Sequence, residues 1–149
     1  MVPLVQRQKS KTDSVRTPAS LLKLLRKEFG KLYDPVPYKP NFNPKTDKDA
    51  LTTEWKATNY VNPPYSKVSA FVEKAHEEWK KGKTVIMLCK LQNLATKYAP
   101  KFIKGKAEVR VFTEQLVFSG YKKKATFYSM LVIWRAKKRS SKLGFIDVP

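Results

Sequence analysis

The chain has 149 residues, 42% of them hydrophobic and 12% aromatic, which suffices for one domain with a real core and excludes a disordered chain. Thirty-one Lys and Arg against twelve Asp and Glu give a formal charge of +19, which implies a polyanionic partner, most simply nucleic acid. The single cysteine, Cys89, excludes an internal disulfide and fits a reducing, intracellular setting, and no apolar run approaches the roughly 18 residues that cross a bilayer.

Residues 1–16 read as a basic arm carrying Arg7, Lys9, Lys11 and Arg16, and Met1 to Lys11 lacks the apolar core of a secretory signal. Thr17-Pro18 opens a helix, with Thr as N-cap and Pro in the first turn. In it Leu21, Leu22, Leu24, Leu25 and Phe29 recur at helical spacing until Gly30 ends it. Lys31-Leu32-Tyr33 is a short strand running into Asp34-Pro35. Residues 36–54, rich in Pro, Asn and Thr, form a long loop of the kind that often carries function. The strand Asn59-Tyr60-Val61 then leads into Asn62-Pro63-Pro64-Tyr65.

A helix over 68–81 follows, with Val68, Phe71, Val72, Ala75 and Trp79 inward and Gly82 at its end. Thr84 to Leu88 is almost wholly apolar, the mark of a central strand buried on both faces, and Cys89 beside it reads as a buried core thiol. The pattern next predicts a helix over 94–103, a strand over 108–112, and a hairpin of strands 115–119 and 126–134 around the basic tip Lys122-Lys123-Lys124. Residues 136–149, with Lys137, Lys138 and Arg139, read as a basic tail, leaving one domain over 17–135.

Strands alternating with helices before a terminal hairpin predict an α/β fold: a three-layer sandwich whose sheet is mostly parallel with a C-terminal antiparallel hairpin. In such sheets ligands sit beyond the C-terminal ends of the strands, so Asp34 and Asn62 are expected to share one cleft. The tetrapeptide suits a flat, hydrogen-bonding ligand. Two prolines make the chain rigid and ladder-free, the Asn62 side-chain carbonyl and a proline carbonyl are acceptors, and Tyr65 offers a stacking face. An ordinary loop with a tyrosine packed on prolines is the alternative. The lone His76, on a charged helix face, reads as solvated rather than as a metal ligand, and no metal is called for.

Seven pieces recur in a familiar order: Thr17-Pro18-x-x-Leu21 with Glu28-Phe29, Asp34-Pro35, Asp49-Ala50-Leu51 with Trp55, Asn62-Pro63-Pro64-Tyr65-Ser66, Phe71 to Ala75, Val85 to Leu88, and Ser129 to Trp134. On these, over roughly residues 16 to 136, the chain resembles the phage-type Dam DNA N6-adenine methyltransferases, a Rossmann-like group that uses S-adenosylmethionine. The resemblance implies methyl transfer to the amine of a flipped adenine, with Asn62, Pro63, Pro64 and Tyr65 as the catalytic motif. There the Asn62 and Pro63 carbonyls would accept the amine hydrogens and Tyr65 would stack on the base. It implies S-adenosylmethionine beside Thr17, Pro18, Asp34 and Pro35, while DNA phosphates would meet Lys122, Lys123, Lys124, Lys137, Lys138 and Arg139. It also implies a phage or large-virus origin, a place in the host cytoplasm, nucleus or virion, and viral assembly partners.

A second reading of a different class stays open: a catalytically inactive protein of methyltransferase fold, serving as a basic nucleic-acid-binding or virion structural protein. Departures from the family pattern support it. No Gly-x-Gly loop follows Asp34, where Val36-Pro37-Tyr38 stands; Cys89-Lys90 replaces a proline after the Leu88 strand. Glu114-Gln115 replaces Gly-Arg before the hairpin, and Thr126-Phe127 a Pro-Phe pair. A ribosome- or RNA-associated role rests on charge alone.

Overall fold

Thr58–Val61 (β1), Thr84–Lys90 (β2), Glu108–Phe112 (β3), Ser129–Trp134 (β4) and Leu143–Ile146 (β5) join in one sheet in the order β1-β2-β4-β3-β5. The computed structural model describes residues 13–39, 43 and 45–149. Arg7, Lys9 and Lys11 of the predicted arm, and Pro40, Asn41 and Pro44 of the predicted loop, lie outside the described residues.

The α/β class holds, but the sheet is mixed rather than mostly parallel. β1 runs parallel to β2 and β3 to β5, while β4 lies antiparallel to both β2 and β3. Lys31-Leu32-Tyr33 reduces to a single parallel bridge between Tyr33 and Asn59, with the Tyr33 N–H on the Thr58 carbonyl at 3.0 Å and the Tyr60 N–H on the Tyr33 carbonyl at 2.8 Å. That bridge is enough to run Asp34 out of the same end of the sheet as Asn62.

Side chains along the central strands alternate between two apolar clusters, as a strand buried on both faces requires. Val85, Met87 and Cys89 of β2 join Met130, Val132 and Trp134 of β4 on one face; Ile86 and Leu88 join Leu131 and Ile133 on the other. The first face is covered by helix α2 (Val68–Lys80) through Phe71, Val72, Ala75 and Trp79, and by the short helix α3 (Ala99–Phe102). The second is covered by helix α1 (Ala19–Phe29) through Leu21 and Leu25. Gly30, at φ +79°, ends α1 and returns its N–H to the Arg26 carbonyl at 2.9 Å.

Five local expectations give way to tertiary demands. Thr17 does not cap α1: Pro18 stands at the N-cap, and the Thr17 hydroxyl bonds the Tyr60 hydroxyl at 2.8 Å. The helix predicted over 94–103 splits into a 3₁₀ turn, Leu91–Leu94, and the four-residue α3, because Pro100 starts a helix and cannot lie within one. Residues 115–119 form no strand. Leu116 and Phe118 are buried and Val117 exposed, but only Ser119 pairs, bridging to Arg16, so β4 begins at Ser129 and its hairpin partner is β3. Residues 136–149 supply β5, which pairs with β3. His76, expected in solvent, is buried against Trp79 and Phe102, and that burial lowers its pKa.

Candidate active site

Beyond the C-terminal end of β1 lies a cavity of about 690 Å³. Residues 13–17, 33–39 and 47–51 form its walls, and Leu22, Tyr60, Asn62, Pro64, Lys67 and Phe71 complete it. Asp34 and Asn62 share one space, as their strand ends predict, and Thr17, Pro35 and Pro64 line it too; Pro18, Pro63 and Tyr65 do not.

Asn62 is the most constrained of these side chains. Its Nδ2 donates to the Val15 carbonyl at 2.7 Å and to Thr17 Oγ1 at 3.2 Å. Both amide hydrogens are thereby spent on one segment, and turning the amide over would set its oxygen against the Val15 carbonyl. Oδ1 has no protein donor among the described residues. The Thr17–Tyr60 hydroxyl pair backs this arrangement from beneath. Tyr60 is 2% exposed, so its hydroxyl needs the partner it has.

Asp13 ties the same segment down on the other side of the motif. Its carboxylate accepts the Ser66 N–H at 2.8 Å and the Ser66 hydroxyl at 2.5 Å, and its carbonyl accepts the Tyr65 N–H at 2.8 Å. These bonds fix the 3₁₀ turn Tyr65–Lys67 that follows the prolines and leads into α2.

The Tyr65 ring packs between an aromatic and a cationic neighbour. Phe127 meets it edge-on at 5.8 Å, and Lys90 Nζ lies 4.2 Å from its centroid and 4.5 Å from that of Phe127. Its hydroxyl is buried without a partner among the described residues, and burial pushes it up to about 12.

Asp34 lines the same cavity as Asn62. Its Oδ1 accepts the Val36 N–H at 2.9 Å, closing a small turn before Pro37. The carboxylate is open to the cavity's solvent yet hemmed in by the walls, and that desolvation outweighs the Val36 bond and pushes it up to about 6. Tyr33 and Tyr38 add aromatic surface, and Arg16 lies over the Tyr38 ring at 5.0 Å. A family model described as DNA N-6-adenine-methyltransferase (Dam) matches residues 5–146. The chain belongs to the Dam family. No curated protein matches it.

Dam membership implies a DNA substrate and S-adenosylmethionine as methyl donor. The cavity fits such a donor in volume, since pockets for molecules of this size run to about 300–1,000 Å³. It also fits in its chemistry, since the Asp34 carboxylate offers an anionic acceptor to the donor's polar end. Among the described residues no group of three His, Cys, Asp or Glu side chains could hold a metal ion, and no helix is long and apolar enough to cross a membrane.

The six basic positions singled out in the sequence divide between the two ends of the sheet. Lys122, Lys123 and Lys124 are exposed on the connection from β3 to β4, at the motif's end, where Phe127 of that connection touches Tyr65. Lys137, Lys138 and Arg139 follow β4 at the far end, where the Ala136 N–H bonds Thr84 Oγ1 at 3.0 Å and Arg139 lies 5.8 Å from the Trp79 ring. Sequence reasoning missed Asp13 and Val15 and read Arg16 as part of a basic arm rather than of the cavity, since the stretch has no apolar periodicity. It also missed Lys90, whose only signal was the absence of the family's proline after the β2 core.

Proposed function

We propose that this chain is an S-adenosylmethionine-dependent DNA N6-adenine methyltransferase, acting on the exocyclic amine of an adenine flipped out of the duplex. The observation that carries the reading is Asn62: an amide locked through its nitrogen, with a free carbonyl oxygen in the same cavity as Asp34. Adenine's amine is a weak nucleophile because its lone pair is delocalised into the ring. An acceptor fixed on its hydrogens holds the lone pair toward the reacting carbon and stabilises the positive charge that develops on nitrogen. Locking Oδ1 in advance removes the cost of orienting it during the reaction.

The Pro63 carbonyl is the second acceptor in this reading, and Pro64 keeps the backbone rigid. Thr17, Asp34 and Pro35 hold the methyl donor, with Pro18 setting the turn behind them. When bound, S-adenosylmethionine supplies an electrophilic methyl group on a sulfonium. Asp34 gives its polar end an anionic partner, and Tyr33 and Tyr38 give its flat part an aromatic one. Tyr65 stacks on the base only once Lys90 and Phe127 leave its ring, so base entry displaces the end of the β3–β4 connection. Lys122, Lys123 and Lys124, on that connection, meet the phosphates around the target. The mixed sheet, with α1 on one face and α2 and α3 on the other, is in this reading a shortened Rossmann-like sandwich.

The test is transfer of labelled methyl from S-adenosylmethionine to adenine-containing DNA. Wild type transfers, and Asn62→Ala loses at least about 100-fold in rate while keeping DNA affinity. No donor binding at millimolar concentration, with DNA binding intact, would overturn the reading and leave a nucleic-acid-binding protein on a methyltransferase scaffold.

A further inference from the structure

Cationic side chains also gather far from the cavity. At the far end of the sheet Arg110 of β3 grips the Glu28 carboxylate of α1 with both terminal nitrogens at 2.7 Å, and Arg135 Nη2 reaches the same carboxylate at 2.7 Å. Arg110 Nε also bonds Glu108 at 2.6 Å. Two guanidiniums and two carboxylates cancel, and each fixes the other's geometry. Beside them opens a cleft of about 220 Å³, lined by Arg110, Arg135, Lys138, Ser140 and Lys142 over Glu108 and Ile133.

Lys138 and Lys142 supply the excess charge. Neither forms an ion pair among the described residues, in contrast to the arginines beside them. The backbone places both. The Lys138 N–H closes a turn on the Arg135 carbonyl at 3.1 Å with Lys137 at φ +58°, and the Lys142 N–H bonds Ser140 Oγ at 3.1 Å.

Helix α1 connects this cleft to the cavity. It starts two residues after Thr17 and ends beside Glu28, a span of about 16 Å at 1.5 Å per residue. Leu21 and Leu25 face the sheet, and Lys23, Arg26 and Lys27, all exposed, share the outer side at i, i+3 and i+4. The only acid of α1, Glu28, is already taken by two arginines. The result is a cationic ridge on the C-terminal half of α1 that ends beside the cleft.

We propose that the ridge and the far cleft form a second phosphate-binding site, which holds the sugar–phosphate backbone of the DNA substrate away from the target base. The proposal rests on DNA being the substrate. In it the neutralised arginine network serves as a rigid wall with spare N–H donors, while Lys138 and Lys142 release counterions on binding.

The experiment compares three double variants by fluorescence anisotropy on a duplex of about 24 base pairs across a salt series. They are Lys138→Ala with Lys142→Ala, Lys23→Ala with Lys27→Ala, and, as control, Lys101→Ala with Lys104→Ala, which removes the same charge beyond the opposite face. All six lysines are exposed, so the fold is expected to survive, and circular dichroism verifies it. The cleft and ridge pairs should each lose on the order of tenfold in affinity and flatten the log–log salt slope by about 2, with the control within about twofold of wild type. Equal losses in all three variants, or a cleft variant that binds DNA like wild type, would overturn the proposal. So would a cleft variant that keeps its DNA affinity and loses only binding to polyglutamate. Methyl transfer is read on the same samples: a protein that passes this test without transferring methyl refutes the catalytic reading and leaves the second site standing.

Discussion

Asn62 owes its orientation to residues 47 and 45 positions before it, Val15 and Thr17. Of the two, Thr17 can be tested without touching the backbone. Thr17→Val keeps the shape but removes the oxygen that accepts from Asn62 and satisfies Tyr60. We expect the single-turnover methylation rate to fall about tenfold and stability to fall by about 1–2 kcal/mol, with Thr17→Ser close to wild type on both. Equal rates for the valine and serine variants would dissociate Thr17 from the amide's alignment. Asp34 gives the second residue-scale prediction. Its carboxyl, ordinarily near 3.8, sits at about 6, so a ligand that draws on the charged form binds fully above pH 6. Below that, affinity drops by about tenfold per pH unit as the proton competes. Calorimetric titration of the methyl donor from pH 5 to 8 should show this fall for wild type and a flat, weaker profile for Asp34→Asn.

At the scale of elements, the joint between α2, β2 and the loop before β1 is held by one buried carboxylate. Glu78 is fully buried in the last turn of α2. It accepts the Trp55 N–H at 2.6 Å and Lys83 Nζ at 3.1 Å on one oxygen, with Lys81 Nζ 2.9 Å from the other. Burial alone would raise its pKa, but the Trp55 N–H and the lysines outweigh it and hold the carboxyl at about 2, against an ordinary 4.5. A carboxyl depressed in the folded state contributes stability that is complete above pH 4.5 and is lost as pH falls toward 2. Glu78→Gln should therefore unfold several kcal/mol more easily at pH 7, and the gap to wild type should close between pH 4.5 and 2 in urea melts. In sequence Glu78 is one more charge on an amphipathic helix, because the residues that bury it come from positions 55 and 83. The same limit governs the other misses. α1, α2 and β2 were legible since their apolar period is local, and the shared cleft of Asp34 and Asn62 was legible since both follow strands that leave the sheet at one end. The segment 13–17 and β5 draw their order from partners far along the chain, and no period announces them.

Across the whole molecule, the C-terminal stretch decides whether the sheet has four strands or five. Its composition reads as a basic tail, yet the Val109 N–H bonds the Lys142 carbonyl at 2.9 Å and the Thr113 N–H bonds the Ile146 carbonyl at 3.1 Å, framing the parallel β3–β5 ladder. Asp147 Oδ1 adds a bond to Thr113 Oγ1 at 3.1 Å, and Ile146 and Val148 pack onto the α1-side cluster around Phe112. The opposite face of β5 is open, with Leu143 63% and Phe145 74% exposed, so the strand contributes through its ladder and one packed face only. Removing residues 141–149 would turn β3 into an unpaired edge and uncover Phe112, now 1% exposed. With each lost backbone bond worth about 1 kcal/mol and the apolar side chains adding to that, the truncated chain should lose several kcal/mol. Its urea midpoint should fall clearly below that of the full chain, with a somewhat smaller m-value because less surface is buried to begin with. The truncation keeps Lys137, Lys138 and Arg139, so its effect on folding is separable from most of the charge at that end. A stretch that hung free of the sheet would leave both midpoint and m-value unchanged.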